Sequence, residues 1–282
     1  MAKSTCNIDI EDIIEDIYSK DLKYNELVDN YDTYLSLVKE LDQWLYKHQN
    51  DKSLKEGFNL HLGVLIRKYR VYTKKNFLIY VLRKEMYLEN FQPHPNLWSL
   101  LQKKNRNISG ITNVTVLTSP FPNGQKFSCK HNCYYCPNEP AHKDNNWQAQ
   151  PRSYLYEEPA VRRANKNKFD AYDQVVDRLN TLLMMGMEID KLEIIIEGGT
   201  YTEYPTEYLK DFHRDMFYAS NVYFDKIKRP KETLFNEMKI NIKSKVRIIG
   251  ICIETRPDAI DGEWIQLFRR WGVTRIQLGV QH

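Results

Sequence analysis

A helical N-terminal domain followed by an α/β unit that forms an incomplete (β/α) barrel is the fold class this 282-residue sequence predicts. Three observations lead there. Apolar residues recur at helical spacing from residue 8 to about 107. After Gly110, short β-type runs alternate with helix-length amphipathic stretches, the pattern of βαβ units and a parallel sheet. Glycine and polar positions fall just behind those runs, at the strand ends where α/β barrels place their chemistry. The expected division is 1–107 and 108–282.

In the first part, Ile10, Ile13, Ile14 and Ile17 recur with acids between them, and Leu37, Val38, Leu41, Trp44 and Leu45 make a second stripe. Leu62, Leu65 and Ile66 begin a third and Phe77 to Phe91 a fourth; Pro93 and Pro95 interrupt, and Leu97 to Gln102 resumes. In the second part, Val114 to Leu117 is a β-type run. Asp170 to Gly186 predicts a helix, with Asp170 as cap, Gly186 as stop, and Val175, Val176, Leu179, Leu182 and Leu183 as its apolar face. Leu192 to Ile196 predicts a buried strand running into Gly198-Gly199. Thr206 to Asn221 predicts a helix, 222–245 a charged excursion containing Pro230, Val246 to Ile253 a strand, Asp261 to Trp271 a helix and Ile276 to Val280 a fourth strand. Four strands do not close a barrel. The expectation is a truncated product, or an edge covered by a partner or by a bent N-terminal domain.

Composition narrows the class. Hydrophobic residues at 42% and charged residues at 28% suit a soluble globular protein. A net charge of +4 does not by itself argue for nucleic acid. The first residues turn acidic early and lack a continuous apolar core, so they do not predict a signal peptide. The apolar run Asn76 to Leu82 is too short to span a bilayer. No membrane association and a cytoplasmic location are expected. Cys6 and Cys252 offer no secreted-style disulfide framework.

Cys129, Cys133 and Cys136 stand in the polar stretch SCKHNCYYCPN, spaced C-x3-C-x2-C. Thiolates bind soft metals, and iron–sulfur clusters are held mainly by cysteine. Three thiolates on a four-iron cluster leave one iron open to a small-molecule ligand. Zinc is the alternative, with His131 or His142 as a fourth ligand. Spacing alone leaves both open.

This cysteine pattern, with aromatic Tyr135 before the last cysteine, resembles the radical S-adenosylmethionine signature, and Gly198-Gly199 is similar to that superfamily's glycine pair after the second strand. Six ordered blocks narrow the resemblance: NISGITNVTVLTSP (107–120), CYYCPNEP (133–140), QPRSYLYEEPAVRRA (150–164), DKLEIIIEGGTYTEYPTEY (190–208), IGICIETRPDAI (249–260) and TRIQLGVQ (274–281). Together they look like the Elongator catalytic subunit family, which carboxymethylates the wobble uridine of tRNA. The gap between the first two cysteines is shorter than in many family members, which suggests a divergent branch.

The resemblance implies a radical-SAM-type partial barrel. Cys129, Cys133 and Cys136 would ligate a [4Fe–4S] cluster that reductively cleaves S-adenosylmethionine. Gly198, Gly199, Thr200, Glu254 and Arg256 would contact that nucleotide, Glu254 accepting hydrogen bonds and Arg256 gripping a carboxylate or phosphate bidentately. The competing reading of Glu254 and Arg256 is a structural ion pair. Lys191 matches a family lysine associated with acetyl-CoA; by itself it reads as a solvated flank.

A tRNA partner fits the basic residues Arg67, Lys68, Arg70, Lys74, Lys75, Arg83, Lys84, Lys103, Lys104, Arg106, Arg152, Arg162, Arg163, Lys166 and Lys168. Tyr69, Tyr72, Tyr154 and Tyr156 are interleaved with them as rings on which bases could stack. For any single one of these, an ordinary charged helix face is the competing reading. The family's acetyltransferase half is expected to be missing, so other Elongator-type subunits or a separate acetyltransferase domain are implied as partners. The function expected is a transferase acting on uridine C5 of tRNA. The alternatives are a catalytically inactive tRNA-binding or regulatory remnant and a zinc-stabilised interaction module.

Overall fold

The computed structural model describes residues 15–17, 19, 24–71, 75–102, 109–125 and 129–280. Two compact units are distinguished: Met1–Ser109 with Asn180–Glu188, and Gly110–Leu179 with Ile189–His282.

The first unit is helical. Helices α1 (Tyr24–Asp29), α2 (Tyr31–His48), α3 (Leu54–Tyr69), α4 (Lys75–Tyr87) and α5 (Pro95–Leu101) follow one another. On α2, Tyr34, Leu37, Val38, Leu41 and Leu45 are buried, an i, i+3, i+4, i+7 stripe facing the core. Asp42 lies on the same face, and its carboxylate accepts the His94 backbone N–H at 2.6 Å. That bond fixes the start of α5, where the His94 ring caps Asn96 N and Pro95 supplies a pre-set φ. On α4, Phe77 through Leu82 are buried without interruption, so this helix is the centre of the unit rather than a wall of it. The first stripe, Ile10 to Ile14, lies outside the described residues.

The second unit carries a four-stranded sheet of β1 (Thr112–Leu117), β2 (Lys191–Glu197), β3 (Arg247–Thr255) and β4 (Arg275–Leu278). All neighbours are parallel and the spatial order is the chain order. The helices between them are α6 (Pro159–Lys166), α7 (Ala171–Met184), α8 (Thr206–Asn221), α9 (Leu234–Asn241) and α10 (Gly262–Arg270). The α/β class and the four expected strands are thus present. On β3, Gly250 through Ile253 are buried in succession, as a central strand of a parallel sheet should be. On β2, Leu192, Ile194 and Ile196 are buried while Glu193, Ile195 and Glu197 are only partly so. The strand expected to be uniformly buried therefore alternates.

Strand β1 lies at one edge of this sheet, and side chains close its outer backbone. The Gln174 amide accepts from Leu117 N at 2.8 Å and donates to Leu117 O at 2.9 Å, as a neighbouring strand would. Arg163 Nη2 donates to Thr115 O at 2.6 Å. Two helices were not expected: α9, inside the supposed charged excursion, and α6.

Candidate cofactor site

Parallel strands send all their C-terminal ends to one side, so the segments leaving β1, β2, β3 and β4 meet there. They line a cavity of about 340 Å³. Cys129, Cys133 and Cys136 form one part of its wall, and Gly198, Gly199 and Thr200 from the end of β2 another. Glu254 and Thr255 end β3 and Arg256 follows it, while Gln277 and Leu278 end β4 and Gly279 follows. All four strand ends therefore converge on this cavity, although the residues expected at the fourth are not the ones that line it. Gln281 and His282 lie outside the described residues.

The glycine pair is shaped by its neighbours. Gly198 has φ +153°, and a Cβ there would overlap Thr118 Oγ1 and come within 2.9 Å of the Tyr204 hydroxyl. Gly199 N donates to that hydroxyl at 3.0 Å. At Gly198 only glycine fits, and both glycines line the cavity without a side chain.

A segment that doubles back completes the wall. Gln150 N donates to Glu139 O at 3.0 Å and Ser153 N to Pro137 O at 3.1 Å, which lays Arg152, Ser153 and Tyr154 against the cysteines. Glu139 pins this return, accepting from His142 Nε2, Asn145 Nδ2 and Tyr156 N. Burial raises its proton affinity, but these bonds outweigh it and hold the carboxyl below its ordinary value.

No protein-family model matches the chain. A tRNA uridine(34) acetyltransferase of Dehalococcoides mccartyi is 38% identical over 182 residues, 64% of this chain and 35% of that protein. One of Methanocaldococcus infernus is 34% identical over 217 residues, 77% of this chain and 34% of that protein. Elongator complex protein 3 of Schizosaccharomyces pombe is 32% identical over 182 residues, 64% of this chain and 32% of that protein. The chain is a relative of the Elongator catalytic subunit family. It spans about a third of the length of the curated relatives it matches. A solved archaeal Elp3 of Methanocaldococcus infernus, with residues 1–46 deleted, covers 61% of this chain and 29% of that chain at 28% identity, with a TM-score of 0.43.

In this Elongator relative the donor chemistry of the cavity fits a cluster. Among the described residues no three His, Cys, Asp or Glu side chains are grouped to hold one metal ion. A four-iron cluster does not ask for that, because each thiolate takes a different iron; the three sulfurs need only surround one space, and they do. His142, a candidate fourth zinc ligand, is engaged by Glu139 and Asp144 N and does not line the cavity. His131 does line it.

Arg152 supports the same fit. Its side chain is buried, 7% exposed, on the cavity wall. One Nη donates to Asn132 Oδ1, and its Nε has no hydrogen-bond partner. A buried guanidinium calls for a counter-charge, and three thiolates around the same cavity would supply one.

The remaining expected residues fall differently. Arg256 was expected to grip a ligand with its fork. The fork instead holds Asp258, with Nε to Oδ1 at 2.9 Å and Nη2 to Oδ2 at 2.6 Å. That bond, then the charge of Asp258 and of the Cys133 sulfur, keeps its proton affinity above the ordinary arginine value. Glu254 lines the cavity, but its partner is Tyr154, whose hydroxyl donates to Oε2 at 3.0 Å. Tyr154 is therefore part of the wall and not a free stacking ring. Glu197 follows Ile196, whose register partner is Ile253, so it stands beside Glu254. Burial, and then the Glu254 charge, push its carboxyl up to about 7. Nothing in the sequence singled out Glu197, Ser153 or Gln277.

Lys191 opens β2 at the far end from the cavity, about 20 Å away over six residue steps. It is exposed and paired with Asp190 at 3.2 Å. The basic set is dispersed over both units. Lys74, Lys103, Lys104 and Arg106 lie outside the described residues, as does Tyr72. Lys75 donates to Asn59 Oδ1 and Leu100 O, and Lys84 stands 3.6 Å from Glu15. Arg83 is half-buried. Arg162 pairs with Glu157 and Lys166 with Asp177, while Lys168 is exposed. Arg152 and Arg163 are turned inward, the first to the cavity and the second to the edge of β1.

Proposed function

We propose that the chain is a radical S-adenosylmethionine module of the Elongator type, acting in C5 modification of the wobble uridine of tRNA. The observation that carries the reading is the meeting of three cysteine sulfurs and the bare Gly198-Gly199 backbone in one cavity at the strand ends. The identities of 32–38% to proteins named for uridine 34 and for Elongator support the choice of substrate.

Cys129, Cys133 and Cys136 would hold a [4Fe–4S] cluster, which when bound supplies the electron that cleaves the sulfonium. The chain's own residues bind and orient. Gly198 and Gly199 let the methionyl part of the nucleotide approach the backbone. Glu254, steadied by the Tyr154 hydroxyl, accepts hydrogen bonds from ribose or amine. Arg152 offers charge to an anionic group, the role expected of Arg256, whose fork is already taken. The basic surface would hold the tRNA backbone, with binding that weakens steeply as salt rises. Acetyl-CoA chemistry would lie outside this cavity, and Lys191, at the far end of β2, would act there. No helix among the described residues is long and apolar enough to cross a membrane. Clustered thiols suit a reducing, cytoplasmic setting.

The test is anaerobic reconstitution with iron and sulfide, followed by an assay of S-adenosylmethionine cleavage with and without tRNA. The reading predicts 5′-deoxyadenosine, formed faster with tRNA. Salt-dependent tRNA binding with intact S-adenosylmethionine would instead make the chain a non-catalytic tRNA binder.

A further inference from the structure

Each of the three cysteine sulfurs meets a polar side chain from a different place in the chain, and Cys133 is also hydrogen-bonded by its neighbour Tyr135. Thr200 Oγ1 lies 3.2 Å from Cys129 Sγ, Arg256 Nη1 3.3 Å from Cys133 Sγ, and Ser153 Oγ 3.7 Å from Cys136 Sγ. With free thiols, either partner of the hydroxyl pairs can donate. A metal-bound thiolate has no proton to give, so there Ser153 and Thr200 must be the donors.

Two of the three are held in place by something other than the sulfur. The Arg256 fork is anchored on Asp258, which leaves Nη1 directed at Cys133. Ser153 has φ +79°, a conformation that costs a non-glycine residue and persists only where the surroundings impose it. The return of the chain over Pro137 imposes it here.

We propose that Ser153, Thr200 and Arg256 form a shell of donors, reaching every one of the three sulfurs, that sets the reduction potential of the cluster assigned to Cys129, Cys133 and Cys136. The inference rests on that assignment. Reduction adds negative charge that spreads onto the sulfurs, and hydrogen bonds to them stabilise the reduced form more than the oxidised one. Each donor therefore raises the potential. Arg256 contributes most, because it brings charge as well as a bond, although Asp258 offsets part of that charge. Ser153, at the longest distance, contributes least.

The test is a redox titration of the reconstituted full chain, followed by electron paramagnetic resonance without S-adenosylmethionine. For Thr200→Val the ratio of reduced to oxidised cluster at a fixed potential should fall about tenfold, equivalent to about 59 mV for a one-electron couple. Ser153→Ala should fall by less, Arg256→Gln by more, and Thr200→Ser should keep the wild-type value. Asp258→Asn should move the potential the other way. Unchanged potentials in Thr200→Val and Arg256→Gln, with wild-type iron content, overturn the inference and leave the cluster assignment standing. If those two fail to take up iron, Ser153→Ala and Asp258→Asn decide: shifts of opposite sign support the shell, and no shift overturns it. A wild-type chain that takes zinc and no iron overturns the assignment and the shell together.

Discussion

At Gly198 the backbone occupies a region closed to side chains, and the space a Cβ would need is filled by Thr118 Oγ1. Gly198→Ala is expected to cost about 2–4 kcal/mol from backbone strain and overpacking, read as a fall in the urea midpoint. Glu197 makes a prediction with a sign. Its carboxyl titrates at about 7 in the fold against 4.5 ordinarily. The folded state thus holds a proton that the unfolded state has lost, and stability falls as pH rises from 4.5 through 7. Allowing for partial exposure, the penalty above pH 7 is about 2 kcal/mol. Glu197→Gln should be more stable than wild type by about that amount at pH 8 and equal to it near pH 4, with urea unfolding at both values as the check.

Among the elements, the edge strand β1 depends on one side chain. Gln174 is fully buried and pairs with both backbone groups of Leu117. Gln174→Leu would leave two buried groups unpaired, at about 1–3 kcal/mol each, and should speed amide exchange at Leu117. Helix α9 depends on the fully buried Glu237, which Arg229 grips through Nη1 and Nη2. Burial alone would raise the Glu237 carboxyl, yet the Arg229 bond and charge hold it below its ordinary value. Arg229→Met, by stranding that charge, should destabilise the protein by about 3–5 kcal/mol, measured by urea unfolding. The same pair explains why α9 was not legible. Its stabilising residues are charged and satisfy one another, so the stretch reads as solvated, and only the Thr233 cap marks a helix start. By contrast α8 buries a long apolar stripe, and α10, which buries only Phe268, is marked by its Asp261 cap. Helix α6 offered Pro159 at its first turn but buries only Val161 and Ala164, too short a stripe to register as a period.

Across the molecule, the fold was legible where burial is periodic, and the site was legible where the chemistry is carried by rare residues. Cysteines and a glycine pair stand out in any sequence. Ser153 does not, and Arg152 and Tyr154 drew notice only as basic and stacking candidates, because a loop returning along another loop brings all three to the cavity, and such a contact has no period. His213, deep in the second unit, shows what that interior demands in acid. Its Nδ1 donates to Trp271 O at 3.0 Å, so Nε2 must accept from Tyr201, and burial pushes the ring down to about 4. The fold is stabilised by the neutral ring above pH 6.5 and loses that term as pH falls through 4, about 3 kcal/mol in all. His213→Gln should lose correspondingly less stability between pH 7 and pH 4. The central claim, that three sulfurs around one cavity hold an iron–sulfur cluster, is tested most directly by metal and sulfide analysis after anaerobic reconstitution. It predicts iron and sulfide in the equal amounts of a [4Fe–4S] cluster, lost in Cys133→Ala. Zinc in their place, with no iron, would contradict it.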